Sequence, residues 1–273
     1  MSTPYWQSPD GQYTLYCGDA LTVLKELPTA SVASIVTDPP YGHNNNNGDL
    51  IHRWEAALGR GKHGEARAIV NDGPLAHHLY RDILPLLYAL LRPGGCCCCC
   101  CAGGGGSDPQ FARWALWMDE VFRFKQMVVW DKGPMGMGWH YRRSYEVVLI
   151  GEKPGAPCAW YGGHTIENII RPGAYGITKI IPSAQEHPTA KPIALYQHFI
   201  QLHSQPDELV LDPFAGESPC GIACIRTGRR FIGIEIDETY CARAVQRLEA
   251  ELRQPSLPLS MSVVASIQCP LFS

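Results

Sequence analysis

Short β-rich runs alternate with stretches of helical spacing along most of the chain, and this alternation narrows the architecture before any motif is considered. It is the pattern of βαβ units, in which each helix carries the chain back across a mostly parallel sheet. The β-rich runs cover residues 13–17, 32–37, 95–101, 124–130, 145–150, 208–211 and 231–236, and apolar residues recur at helical spacing over 79–91, 110–121, 193–203, 220–227 and 238–251. Seven strands interleaved in this way predict an α/β fold with a doubly wound, mostly parallel sheet. The 273 residues suffice for one large domain of this kind, read here as residues 1–253, with 254–273 a tail that shows no pattern.

Two stretches break the rhythm. Residues 43–72 carry four consecutive Asn, several Gly and scattered basic side chains, and residues 151–186 are rich in Pro, Gly and aromatics. Long irregular stretches inside a compact domain are commonly functional, so both are predicted to be substrate-facing insertions.

Composition trims the possibilities. No run of eighteen or more apolar residues occurs, and residues 1–10 are polar rather than a basic and apolar leader, so the expectation is a cytoplasmic chain without a membrane partner. The net charge of −3 argues against a protein that coats polyanions along its whole surface. Charge is unevenly spread, however: residues 123–191 hold nine Lys/Arg against five Asp/Glu, which makes the middle of the chain its polyanion-facing part.

Of the twelve cysteines, six form the run Cys96–Cys101. Successive strand side chains point to opposite faces, so six neighbours cannot converge on one tetrahedral ion, and no metal is expected there. Small, readily buried residues in a continuous run instead suit a strand covered on both faces.

Two constellations carry chemistry. The first is Asp38-Pro39-Pro40-Tyr41, delivered at the carboxyl end of an apolar strand and followed by Gly42. Ligands of open α/β sheets bind at that end of the strands. The consecutive prolines fix φ and offer no N–H, giving a stiff loop that presents acceptors. The Asp38 carboxylate and the Pro39 carbonyl could thus accept from the two N–H bonds of a ring amine, localising its lone pair and stabilising the cation formed as it is alkylated. Tyr41 could stack on the ring, worth about 1–3 kcal/mol. The bland alternative is a strand ending in a proline turn with a core tyrosine. In the second constellation, Asp212-Pro213-Phe214-Ala215-Gly216 leaves one strand and Glu235 ends the next. A glycine turn followed some twenty positions later by an acid is the logic of nucleoside binding, although no complete G-x-G-x-x-G is present.

The segments GDAL (18–21), TDPPYG (37–42), HPTAKP (187–192), LDPFAG (211–216) and GRRFIGIEID (228–237) resemble the DNA amino-methyltransferases of the circularly permuted group, in which Asp-Pro-Pro-Tyr precedes Asp-Pro-Phe-x-Gly. The likeness spans most of residues 13–250, and the central WDKGPMGMGWHYRRSYE is similar to phage or prophage members. The resemblance implies a Rossmann-like fold and transfer of a methyl group from S-adenosylmethionine to a base amine of double-stranded DNA. Adenine N6 is expected and cytosine N4 is the alternative, with the base flipped out of the duplex. It also implies catalysis by Asp38, Pro39, Pro40 and Tyr41. Asp212, Phe214 and Gly216 would line the cofactor site, Glu235 would hold the ribose and Asp19 the adenine amine. Lys191, with Thr189 beside it, would lie near the methionine end. Read without the family, Lys191-Pro192 is a helix start with a solvated lysine. Arg142 and Arg143 would contact phosphate or simply flank a strand, and a homodimer is compatible with the pattern.

One turn departs from the family. Glu217-Ser218-Pro219-Cys220 stands where Ser-Gly-Thr-Thr is usual. Ser218 is expected to N-cap the helix and Pro219 to begin it. Glu217 would place a carboxylate where the cofactor's own carboxylate is otherwise welcome, which raises the second possibility of an impaired DNA-binding remnant.

Overall fold

The structure, a computed structural model, describes residues 2–42, 73, 75–102, 109–133, 141, 144–177 and 191–254. The expected loop over 43–72, residues 178–186 of the second insertion, Arg142, Arg143, Thr189 and residues 255–273 lie outside the described residues.

The strands are β1 (Trp6–Gln7), β2 (Tyr13–Cys17), β3 (Val32–Thr37), β4 (Leu91–Ala102), β5 (Arg123–Asp131), β6 (Tyr145–Glu152), β7 (Ile169–Ile170), β8 (Leu209–Asp212) and β9 (Arg230–Glu235). The helices are α1 (Ala20–Val23), α2 (Ala76–Leu90), α3 (Gln110–Val121), α4 (Ile193–His203), α5 (Pro219–Thr227) and α6 (Glu238–Arg253). Among the described residues the strands form one sheet in the order β1-β2-β9-β8-β3-β4-β6-β5-β7. Pairing is parallel from β2 through β9, β8 and β3 to β4, and between β5 and β7; β1 and β6 run against their neighbours. The expected doubly wound, mostly parallel sheet is present, with nine strands rather than seven. The additions, β1 and β7, are two-residue edge strands, too short for alternation to register in the sequence. Strand β4 also begins four residues earlier than its pattern suggested: Leu91 already pairs with Val32, and an irregularity separates that pair from the regular register that starts at Ser34 and Cys96, where Gly95 passes so close to β3 that a Cβ would stand 2.8 Å from the Ala33 carbonyl.

Helices cover both faces, and β4 shows why the cysteine run is tolerated. Cys98 and Cys100 pack with Tyr196 and Phe199 of α4 and Ala223 of α5 in one core. Cys97, Cys99 and Cys101 pack with Ile83, Leu84 and Leu87 of α2 and Trp114 of α3 in the other. Alternation thus sends five of the small thiols into two apolar layers, while the sixth, Cys96, meets Cys158, and all six are buried.

The parallel block aims the carboxyl ends of β2, β9, β8 and β3 at one edge of the sheet. Strand β6 is antiparallel to β4, so its first residues reach that same edge, with Glu146 opposite Ala102. Sequence-distant residues therefore meet in a line along it.

Candidate active site

Asp38 follows the last residue of β3, and its carboxylate is held from two sides. The Lys191 ammonium lies 3.1 Å from Oδ1 and 2.8 Å from Oδ2, and the Tyr41 hydroxyl donates to Oδ1 at 2.5 Å. Lys191 also meets Glu146 Oε2 at 3.0 Å, while Lys132 donates to Glu146 Oε1 at 2.6 Å. Four charges of alternating sign thus run from Asp38 to the start of β6 and the end of β5. Burial alone would push Lys191 towards deprotonation, but Asp38 and Glu146 outweigh it and hold the ammonium more firmly protonated than usual. Burial likewise pushes Glu146 up, yet Lys191 and Lys132 overcome this and hold its carboxyl at about 2.

This corrects one reading of the sequence. Pro192 does occupy the N-cap position of α4, but Lys191 is 6 % exposed and is no solvated lysine. Its ammonium also sits 4.9 Å from the Tyr41 ring centroid, and the Tyr41 ring meets Trp114 edge-on at 6.3 Å. Trp114 in turn stacks on Tyr80 at 3.9 Å, and Gln110 donates its amide to the Tyr41 carbonyl, so the loop after Pro39 and Pro40 leans on an aromatic column.

The second constellation lies next to the first, because β8 pairs with both β3 and β9. Asp212 ends β8, and its Oδ1 accepts from Thr37 Oγ1 at 2.7 Å and from the Phe214 N–H at 3.1 Å. Thr37 directly precedes Asp38, so this hydrogen bond ties the two constellations together. Glu235 Oε2 accepts from the Gly216 N–H at 2.8 Å and Oε1 from the Asp237 N–H at 2.9 Å, which fixes the carboxylate beside the glycine turn. Gly216 has φ +52 with nothing within 4 Å of where a Cβ would stand, so its backbone is open to a close-approaching ligand. Phe214 is half-buried beside it. Asp19 caps α1, accepting from the Thr22 N–H and hydroxyl, and Gly18 before it donates to the Glu235 carbonyl. A glycine-lined cradle, a fixed carboxylate at its rim and an acidic tip on either side suit a nucleoside carrying a positive charge.

The anomalous turn behaves differently from expectation. Glu217 faces α6, where Arg243 and Arg247 each meet its carboxylate at 3.4 Å, so its charge is answered away from the cradle. Pro219 is the first residue of α5 as expected. Ser218 holds the N-cap position in a left-handed conformation (φ 60°), and its hydroxyl makes no capping hydrogen bond.

Sequence reasoning missed Glu146, Lys132 and Gln110. Glu146 was within reach, standing in the quoted SYE segment at the start of a predicted strand, but nothing in a linear pattern gives that strand's direction.

The sequence profile of the DNA methylase family matches residues 32–246. The DNA adenine methyltransferase YhdJ of Escherichia coli (strain K12) is 27 % identical over 264 residues, covering 86 % of this chain and 82 % of its own. Among solved structures, the PvuII DNA methyltransferase (cytosine-N4-specific) superposes with a TM-score of 0.67 at 18 % identity, covering 90 % of this chain and 89 % of that one. M1.HpyAVI, solved as a complex with SAM, gives 0.59 at 25 % identity, covering 86 % of this chain and 98 % of that one.

Proposed function

The chain belongs to the DNA methylase family of the N6/N4 type, and from that premise we propose that it methylates adenine N6 in double-stranded DNA, with the target base flipped into the space beside Asp38. The observation that carries this reading is the Thr37–Asp212 hydrogen bond, which sets the amine-activating carboxylate and the nucleoside cradle on neighbouring strand tips.

S-adenosylmethionine supplies an electrophilic methyl group on a sulfonium centre. The protein's part is positioning and electrostatics. Asp38, clamped by Lys191 and the Tyr41 hydroxyl, presents a carboxylate of fixed direction to one amine N–H, and the Pro39 carbonyl takes the other. Both interactions strengthen as positive charge develops on the nitrogen, so they favour the transition state over the bound base. Gly216 and Phe214 line the cofactor's place, Glu235 accepts from its ribose and Asp19 from its adenine amine. Flipping costs a few kcal/mol of stacking and pairing, which the Tyr41 ring offsets by taking the base on its face. Residues 1–253 act as one catalytic domain, and the 151–186 insertion and the 43–72 loop serve DNA recognition. Adenine is favoured, by resemblance to the family, by Asp rather than Ser before Pro-Pro, and by the likeness to the DNA adenine methyltransferase YhdJ.

The test is methyl transfer from labelled S-adenosylmethionine to DNA, followed by digestion and identification of the modified nucleoside. N6-methyladenine is expected, and N4-methylcytosine would overturn the base assignment. In single-turnover assays Asp38→Ala should abolish transfer while leaving cofactor binding nearly intact. A variant keeping more than a small fraction of the wild-type rate would remove Asp38 from the mechanism.

A further inference from the structure

A buried acceptor with no donor is costly unless a ligand answers it. Among the described residues, Asp212 Oδ2 and Ser218 Oγ are buried side-chain atoms with neither a hydrogen bond nor an ion pair. Ser218 Oγ faces Gly221 in the first turn of α5 and so points into helix packing. Asp212 is different: it is fully buried, both of its donors go to Oδ1, and Oδ2 receives nothing. Asp38, just beyond β3, and Glu235 of β9 act on it as neighbouring negative charges, Tyr196 of α4 and Cys220 of α5 stand close by, and burial keeps that phenol and that thiol neutral. Lys191, a cation on the same edge, is committed to Asp38 and Glu146. Burial first, then those carboxylates, push Asp212 up to about 7 against the opposing bonds from Thr37 and Phe214.

Topology says what answers it. On the reading proposed above, the reacting amine is at Asp38 on the β3 tip and the ribose at Glu235 on the β9 tip. The sulfur that joins methyl to ribose must then lie over the strand between them, β8, whose last residue is Asp212. We propose that Asp212 is the counter-ion of the sulfonium, anionic when it faces the positively charged methyl donor and protonated when the cradle is free or holds the neutral demethylated product. Donor binding therefore drives the Asp212 proton into solvent. In transfer the sulfur–methyl bond breaks with its electron pair staying on sulfur, the amine lone pair forms the new nitrogen–methyl bond, and the amine proton leaves to solvent. The neutral thioether no longer needs an anion, and Asp212 takes a proton back. Substrate is thus distinguished from product by charge as well as by one methyl group.

Calorimetry on the full chain near pH 7, in two buffers of different ionisation enthalpy, tests this with S-adenosylmethionine, S-adenosylhomocysteine and the ammonium analogue sinefungin. The two cationic ligands should release about half a proton more than S-adenosylhomocysteine. Asp212→Asn should abolish that difference and reduce the preference for S-adenosylmethionine over S-adenosylhomocysteine. Independently of the variant's folding, the wild-type affinity for S-adenosylmethionine relative to S-adenosylhomocysteine should fall about tenfold per pH unit below about 7 and level off above it. Equal proton release by both ligands, or a flat affinity ratio, overturns the proposal alone. Binding of neither ligand overturns the cofactor reading on which it rests, and the proposal with it.

Discussion

Lys191→Met keeps an unbranched side chain and deletes the charge between two carboxylates, so it measures what the buried ammonium contributes. Its side chain is 5 % exposed, and those of its partners Asp38 and Glu146 are 21 % and 20 % exposed, so solvent screens the contacts little. Glu146 is held at about 2 against an ordinary 4.5, a gap worth about 3 kcal/mol, of which Lys132 retains a share in the variant. Stripping one partner from a buried pair costs ~3–5 kcal/mol by a separate route. Together these set an expected loss of about 2–4 kcal/mol near neutral pH. The pH dependence follows from the direction of the shift. A depressed carboxyl stabilises the fold above its unfolded value and loses that contribution as pH falls through its folded value. The gap between wild type and variant should therefore be widest from about pH 5 upward and shrink as pH falls towards about 2. Urea unfolding followed by tryptophan fluorescence, with unchanged slope, reads this directly. A loss under about 1 kcal/mol near neutral pH, or a gap that stays constant on acidification, would refute the reasoning.

Tyr41→Phe removes the hydroxyl bond to Asp38 but keeps the ring against Trp114, so single-turnover methylation should slow about tenfold with cofactor affinity unchanged. An unchanged rate would leave the ring as the residue's whole contribution. Glu217→Gln should cost about 1 kcal/mol in thermal melts, because both arginine partners are about one-third exposed, and should leave S-adenosylmethionine affinity as it is. Tighter binding would return the carboxylate to the cofactor site. Gly221→Ala places a Cβ against Ser218 Oγ and 2.8 Å from both Leu248 Cδ2 and Phe231 Cε1, so a loss of ~1–3 kcal/mol is expected in the same melts, and a neutral effect would show that this packing yields easily.

Periodicity made the sheet's interior legible because its strands are long enough to alternate or to bury both faces. Strands β2 and β3 and helices α3 and α4 begin and end where their patterns do. The two-residue edges β1 and β7 and the single-turn α1 lie below that threshold, although the Asp19 cap of α1 stands in the sequence. At the site, residues at the carboxyl ends of parallel strands could be anticipated, since topology alone puts Asp38, Asp212 and Glu235 on one edge. Glu146 escaped because it starts a strand and reaches that edge only through the reversal of β6. The ion pairs of Lys191, a residue the resemblance set near the methionine end of the cofactor, escaped for a related reason: Lys-Pro before a helix reads as surface until tertiary packing delivers two carboxylates to the ammonium.

The thiols of β4 bear on how long the folded molecule lasts. Sealed between two helical layers, with Cys97 to Cys101 all pushed upward by burial, they offer an oxidant almost no thiolate. One complete opening changes this at a stroke, releasing six adjacent nucleophiles in a chain with further cysteines at 17, 158, 220, 224 and 241 to pair with. Any crosslink formed then bars β4 from re-entering the middle of the sheet. Under oxidising conditions the working lifetime of the protein is accordingly set by how rarely it unfolds, a barrier height rather than an equilibrium.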